Sequence, residues 1–102
     1  MGKYLVVYKG GQMGATPEAV EATMAKWMEW FGSMGSAVTD FGNPLGASTA
    51  IGADGSHGDA TSELSGYSII EADDLDAAAT MAQDCPVLAN GGALEIYEAM
   101  PM

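Results

Sequence analysis

The feature that most restricts this chain is a set of short strands whose residues are apolar in both phases of the alternation. Tyr4-Leu5-Val6-Val7-Tyr8 is aromatic, aliphatic and β-branched and stops at Gly10-Gly11, which predicts a strand. In an extended chain, successive side chains point to opposite faces, so Tyr4, Val6 and Tyr8 oppose Leu5 and Val7. Gly66–Ala72 sets Tyr67 and Ile69 against Ile70 and Ala72, and Ala93–Tyr97 sets Leu94 and Ile96 against Tyr97. A sheet built from such strands needs apolar cover on both sides.

The intervening segments predict what supplies the first cover. Thr16-Pro17-Glu18 reads as an N-cap, a proline at the first helical position and an acid in the first turn. The helix it opens runs to about Gly35, with Val20, Met24, Trp27, Phe31 and Met34 as an apolar stripe. Ala37–Phe41 reads as a second strand closed by Gly42-Asn43-Pro44. Ser48–Ile51 is a weaker strand with a turn signal at Asp54-Gly55, and residues 52–65 read as a polar surface loop. Asp73 is placed to cap a second helix that buries Leu75, Ala78, Ala79 and Ala82 and stops at Cys85-Pro86. The core order βαββαβ predicts an α+β, ferredoxin-like fold: an antiparallel sheet with two helices on one face. The other face is left bare, and a second copy stacked around a twofold axis is the simplest cover. A homodimer is therefore expected.

At 102 residues the chain has room for one core, and residues 1–102 are read as a single domain. Fourteen Asp and Glu against three Lys, with no Arg, give a net charge of −11. That balance repels nucleic acid and anionic lipid and removes the bidentate phosphate clamp, so neither nucleic acid nor membrane is expected as a partner. The single cysteine, Cys85, cannot form an internal disulfide, and no basic-then-apolar leader or membrane-length stretch is present. A cytoplasmic location is the expectation.

Few residues offer chemistry. His57 is the only histidine; Asp54 or Asp59 could orient it for acid–base work, but its Gly-Ser-Asp surroundings read first as exposed loop. Glu71, Asp73, Asp74 and Asp76 are what helix capping requires and lack the spacing of a calcium loop; one His and one Cys do not suit zinc. No metal is expected. Cys85, behind a helix C-terminus, reads as buried and unreactive. Gly10-Gly11 and Gly91-Gly92 read as turns rather than phosphate cradles. Trp27, Trp30 and Phe31 read first as core; if they line an apolar pocket, Asp40, Asn43, His57 and Tyr67 are the polar groups expected at its mouth.

Gly66-Tyr67-Ser68-Ile69-Ile70-Glu71-Ala72-Asp73, followed by Leu75, Ala77-Ala78, Cys85-Pro86 and Leu94-Glu95-Ile96-Tyr97, resembles the C-terminal half of YCII-related (DGPF-domain) proteins. The opening Lys3–Tyr8 and the Trp-rich first helix fit the same family. The resemblance implies the dimeric α+β barrel. Many members carry Asp-Gly-Pro-Phe in the central loop; here Asp54-Gly55-Ser56-His57 either occupies that place or is a hairpin turn with the motif deleted. Enzyme-like members pair a His near the start of the first helix with an Asp near its end. The matching positions here are Ala19 and Ser33, so the dyad is not inherited.

Together these observations predict a homodimer that binds a small apolar or aromatic metabolite, without a cofactor. Two other classes stay open: a cofactor-independent lyase or monooxygenase using His57 or Asp40, and an acidic module for protein interaction.

Overall fold

The computed structural model describes residues 2–11 and 14–101. Strand β1 (Gly2–Lys9) leads to α1 (Pro17–Met34), a 3-10 turn (Gly35–Ala37) and β2 (Val38–Asp40). A hairpin of β3 (Ala50–Ile51) and β4 (His57–Gly58) precedes β5 (Leu64–Ala72), α2 (Leu75–Ala82), the single-turn α3 (Pro86–Ala89) and β6 (Ala93–Ala99). The main sheet runs β2-β5-β1-β6 with every pairing antiparallel. The helices cover one of its faces, which is the ferredoxin-like arrangement.

The double phase of the strands is realised. Tyr4 pairs with Ile70, Val6 with Ser68 and Ile96, and Tyr8 with Gly66 and Leu94; this is the face under the helices. Val6, Ile70 and Ala78 are fully buried there, and Ala72, Ala82, Cys85 and Val87 close the core around them. The alternate register, Leu5 with Ile69 and Tyr97, and Val7 with Tyr67 and Glu95, forms the helix-free face.

Helix α1 starts and stops where its end signals are. The Thr16 hydroxyl accepts from the Ala19 N–H at 3.1 Å, Pro17 is the first helical residue, and Gly35 (φ 57°) ends it. Its buried line differs from the stripe expected. Thr23 and Trp30 are buried, whereas Met24 is half exposed, because the Trp30 Nε1–H donates to the Met81 carbonyl at 3.0 Å and turns that edge of α1 towards α2. The apolar arc of α1 is thus wider than the surface beneath it. Its overhang (Met24, Met28, Phe31) borders a cleft.

Other expectations shift by local chemistry. Asp74, not Asp73, caps α2, its Oδ1 accepting from the Ala77 N–H at 2.8 Å. Leu75 and Ala79 are exposed, because the packed line of this short helix is Ala78 and Ala82, with Ala77 and Met81 beside it. Pro86 lies past the end of α2 and opens α3, its fixed φ suiting a first helical residue. The polar stretch 52–65 is exposed yet holds β4, which pairs Ile51 with His57 and Ala50 with Gly58, so the weak third strand joins a separate hairpin rather than the main sheet. Asp54-Gly55 is its turn: Gly55 has φ 86°, and Asp54 Oδ1 accepts from the Ser56 N–H and hydroxyl.

Two predictions follow from the packing. Gly42 has φ +78°, and a Cβ there would run into the Tyr67 carbonyl oxygen, so Gly42→Ala should lose at least about 2 kcal/mol in urea denaturation. Cys85 is 2 % exposed, and burial pushes its thiol from 9.0 up to about 11. A group raised on folding stabilises below its unfolded value, and that contribution disappears as pH climbs from about 9 to 11. Over that window, the wild type should lose on the order of 1–2 kcal/mol more than Cys85→Ala.

Candidate functional site

Between α1 and the end of the sheet lies a cleft of about 410 Å³, a size typical of small-molecule sites. Met24, Trp27, Met28 and Phe31 form its α1 wall, Tyr8 and Gly66 its floor, Phe41 to Pro44 one rim, and Val87 with Asn90 the far end. The rings contact one another in series: Tyr8–Trp27 edge-on at 4.9 Å, Trp27–Phe31 at 5.9 Å and Phe31–Phe41 perpendicular at 5.0 Å.

Glycines make the space. Gly66 lies opposite Tyr8, and a Cβ there would stand 3.4 Å from both the Tyr8 ring and the Asn43 carbonyl oxygen, so glycine lets the rim segment close against β5. Gly42 allows the chain after β2 to follow β5 closely, continued by the Pro44–Gly66 bridge and the Leu45 N–H to Ser65 carbonyl bond of 3.0 Å. That path carries Phe41 and Asn43 to the rim. At the other end, a Cβ on Gly92 would stand 2.6 Å from Val87 Cγ2 and 2.7 Å from the Lys9 carbonyl oxygen, so glycine is what lets α3 close on β1.

A buried polar relay lies under the aromatic floor. The Tyr8 hydroxyl donates to Ser68 Oγ at 2.8 Å, and Ser68 donates to the Phe41 carbonyl at 2.7 Å. Ser68 is fully buried, and burial raises the Tyr8 phenol far above its ordinary value, so the chain of donors stays neutral. The relay ties the floor of the cleft to its rim. Sequence reasoning missed it, although a serine in the inward phase of an otherwise apolar strand is a readable signal.

Of the residues expected at a pocket mouth, two meet there. Asn43 and Tyr67 line the cleft, and the Asn43 amide approaches the Tyr67 hydroxyl at 3.4 Å. Asp40 and His57 are not part of the lining. The Asp40 carboxylate accepts from the Gly42 N–H at 2.8 Å, shaping the turn instead, and His57 is exposed on the separate hairpin. Ala19 is outside the lining as well, and Ser33 donates to the Trp30 carbonyl of its own helix. Among the described residues no three His, Cys, Asp or Glu side chains converge as a metal centre, and no helix is long and apolar enough to cross a membrane.

The sequence profile of the YCII-related domain matches residues 3–102. Among solved structures, the chain is similar to 5-chloro-2-hydroxyhydroquinone dehydrochlorinase (TftG) of Burkholderia phenoliruptrix in complex with 2,5-dihydroxybenzoquinone. The two share 16 % identity with a TM-score of 0.57 over 95 % of this chain and 93 % of that one. No curated protein matches significantly.

The relay makes an asymmetric prediction for stability. Ser68→Ala strands both the Tyr8 hydroxyl and the Phe41 carbonyl, whereas Tyr8→Phe leaves Ser68 its own acceptor. Ser68→Ala should therefore cost about 2–4 kcal/mol and Tyr8→Phe about 1 kcal/mol by chemical denaturation; equal losses would mean the relay does not act as a unit.

Proposed function

The chain belongs to the YCII-related domain family, and on that footing we propose that it is a homodimer whose cleft binds a small apolar or aromatic molecule. The observation carrying the ligand reading is the lining itself. The rings of Tyr8, Trp27, Phe31 and Phe41 and two methionines surround a space of about 410 Å³, with Asn43, Ser65 and Asn90 as the polar groups that could fix an orientation. The described lining includes no acid, lysine or histidine, which supports binding over acid–base chemistry at neutral pH. A structural relative solved with a single-ring quinone supports the same ligand size.

The dimer reading rests on the helix-free face. Leu5, Val7, Tyr67, Ile69 and Tyr97 adjoin across three strands and have no helix above them. Charge supports self-association there. β1, β5 and β6 place Lys3, Lys9, Glu71 and Glu95 in this phase, with Lys9 Nζ 3.9 Å from Glu95, and the edge strand β2 adds Asp40 opposite Ile69. Two copies of a chain with net charge −11 repel over most of their surfaces, so an apolar face that carries two of the three lysines is where they can meet.

Sedimentation should give twice the 10.4 kDa chain mass, and Leu5→Glu or Ile69→Glu should return the protein to monomer with its helical circular dichroism retained. A wild type that sediments as a monomer at tens of micromolar sinks the dimer. Neutral one- and two-ring aromatics should raise Tm, with a stabilisation near 2.7 kcal/mol at about 100 times Kd. Phe41→Ala at the exposed rim should weaken that effect. No shift across such a panel sinks the ligand reading.

A further inference from the structure

We propose that the cleft selects its ligand by charge and takes apolar cations, such as aromatic or alkyl ammonium compounds, in preference to neutral isosteres, while rejecting anions. The proposal rests on the cleft being a ligand site and names the class of ligand.

The first ground is where the positive charge of this chain lies. It has no arginine, and its lysines are Lys3, Lys9 and Lys26. Lys3 and Lys9 belong to the helix-free phase of β1, where Lys9 lies against Glu95. Lys26 borders a separate recess with Glu29, Asp84 and Trp30. His57 is on the detached hairpin. No side-chain cation therefore faces the cleft to hold a carboxylate, sulfonate or phosphate. An anion entering it would lose its hydration with no paired charge in return.

The second ground is the lining. Tyr8, Trp27, Phe31 and Phe41 are ring systems whose faces carry negative charge density, and the near-perpendicular Tyr8–Trp27 and Phe31–Phe41 contacts mean that the wall presents rings in more than one orientation. A compact cation whose charge is spread over methyl groups gains from such rings and needs little hydration.

The third ground is the field around the entrance. Asp40 directly precedes the rim residue Phe41, its carboxylate on the Gly42 N–H. The Glu63 carbonyl accepts from the N–H of lining Gly10, which keeps the backbone of this exposed acid next to a lining residue. With a net charge of −11 over the molecule, the potential at the mouth enriches cations and depletes anions.

The test is a titration of the full-length protein, followed by calorimetry, with three phenyl compounds of matched shape: phenyltrimethylammonium, tert-butylbenzene and benzenesulfonate. In about 20 mM salt, the ammonium compound should bind about 5-fold or more tighter than the hydrocarbon, and the sulfonate about 10-fold weaker than the hydrocarbon or not at all. Raising salt to about 0.5 M should shrink the ammonium advantage without removing it, because ring contact is short-ranged while the mouth potential is screened. Phe41→Leu, at an exposed position, should reduce the ammonium-to-hydrocarbon ratio more than it reduces hydrocarbon affinity. Hydrocarbon binding equal to or tighter than ammonium binding, or sulfonate binding as tight as either, overturns the charge selectivity and leaves the cleft intact as an apolar site. Failure of all three, together with neutral planar aromatics, removes the cleft as a ligand site altogether.

Discussion

Strand β1 is an inner strand of the sheet, hydrogen-bonded on both edges and apolar on both faces, and most of the molecule is arranged to answer that constraint. Tyr4, Val6 and Tyr8 require cover from the helices, and α1 and α2 supply it, held together by the Trp30 indole bond to Met81. Leu5 and Val7 require cover on the reverse, where the chain supplies none of its own helices. Changing either phase of this strand to polar residues would remove the reason for one of the two layers. The proposed twofold partner is the counterpart of α1 and α2 on the opposite side.

The cleft is a by-product of the same geometry. An 18-residue helix with a broad apolar arc crosses a four-stranded sheet whose upper end is trimmed by Gly66 and bordered by the glycine-bearing turn at Gly42. The arc overhangs where the sheet stops, and the rings of Trp27, Phe31 and Phe41 remain partly open to solvent. A fully packed core would fill that space with side chains; here the relay from Tyr8 through Ser68 to Phe41 fixes the rim to the floor beside it.

Much of the fold was legible because it depends on local rules. The Thr16-Pro17 start and Gly35 end of α1, the β1 and β6 strands, and the two phases of each long strand all follow from capping and alternation. Harder to read were features that depend on distant partners. Trp30 rather than Met24 is buried because Met81 lies 51 residues away along the chain, and no local periodicity records that. Asp73 and Asp74 are equal as caps until the helix chooses its register. For the site, the aromatic residues of α1 were named but read first as core, and Asn43 and Tyr67 were placed at the mouth. Asp40 and His57 were named with them as polar groups for the mouth; the backbone path carries one into a turn and the other onto a hairpin.

That hairpin, β3 with β4, has one further implication. Its strands pair only with each other, its residues from Ile51 through Gly58 are exposed, and its turn is stabilised by its own Asp54 and Ser56. Segments of this kind are under little pressure to keep a fixed length or composition. Lineages that share this sheet can rewrite the stretch, or swap it for a longer excursion, without disturbing β2 or β5 on either side. It also gives a protein engineer a natural place to graft a reporter peptide, since its residues belong neither to the main sheet nor to the lining of the cleft.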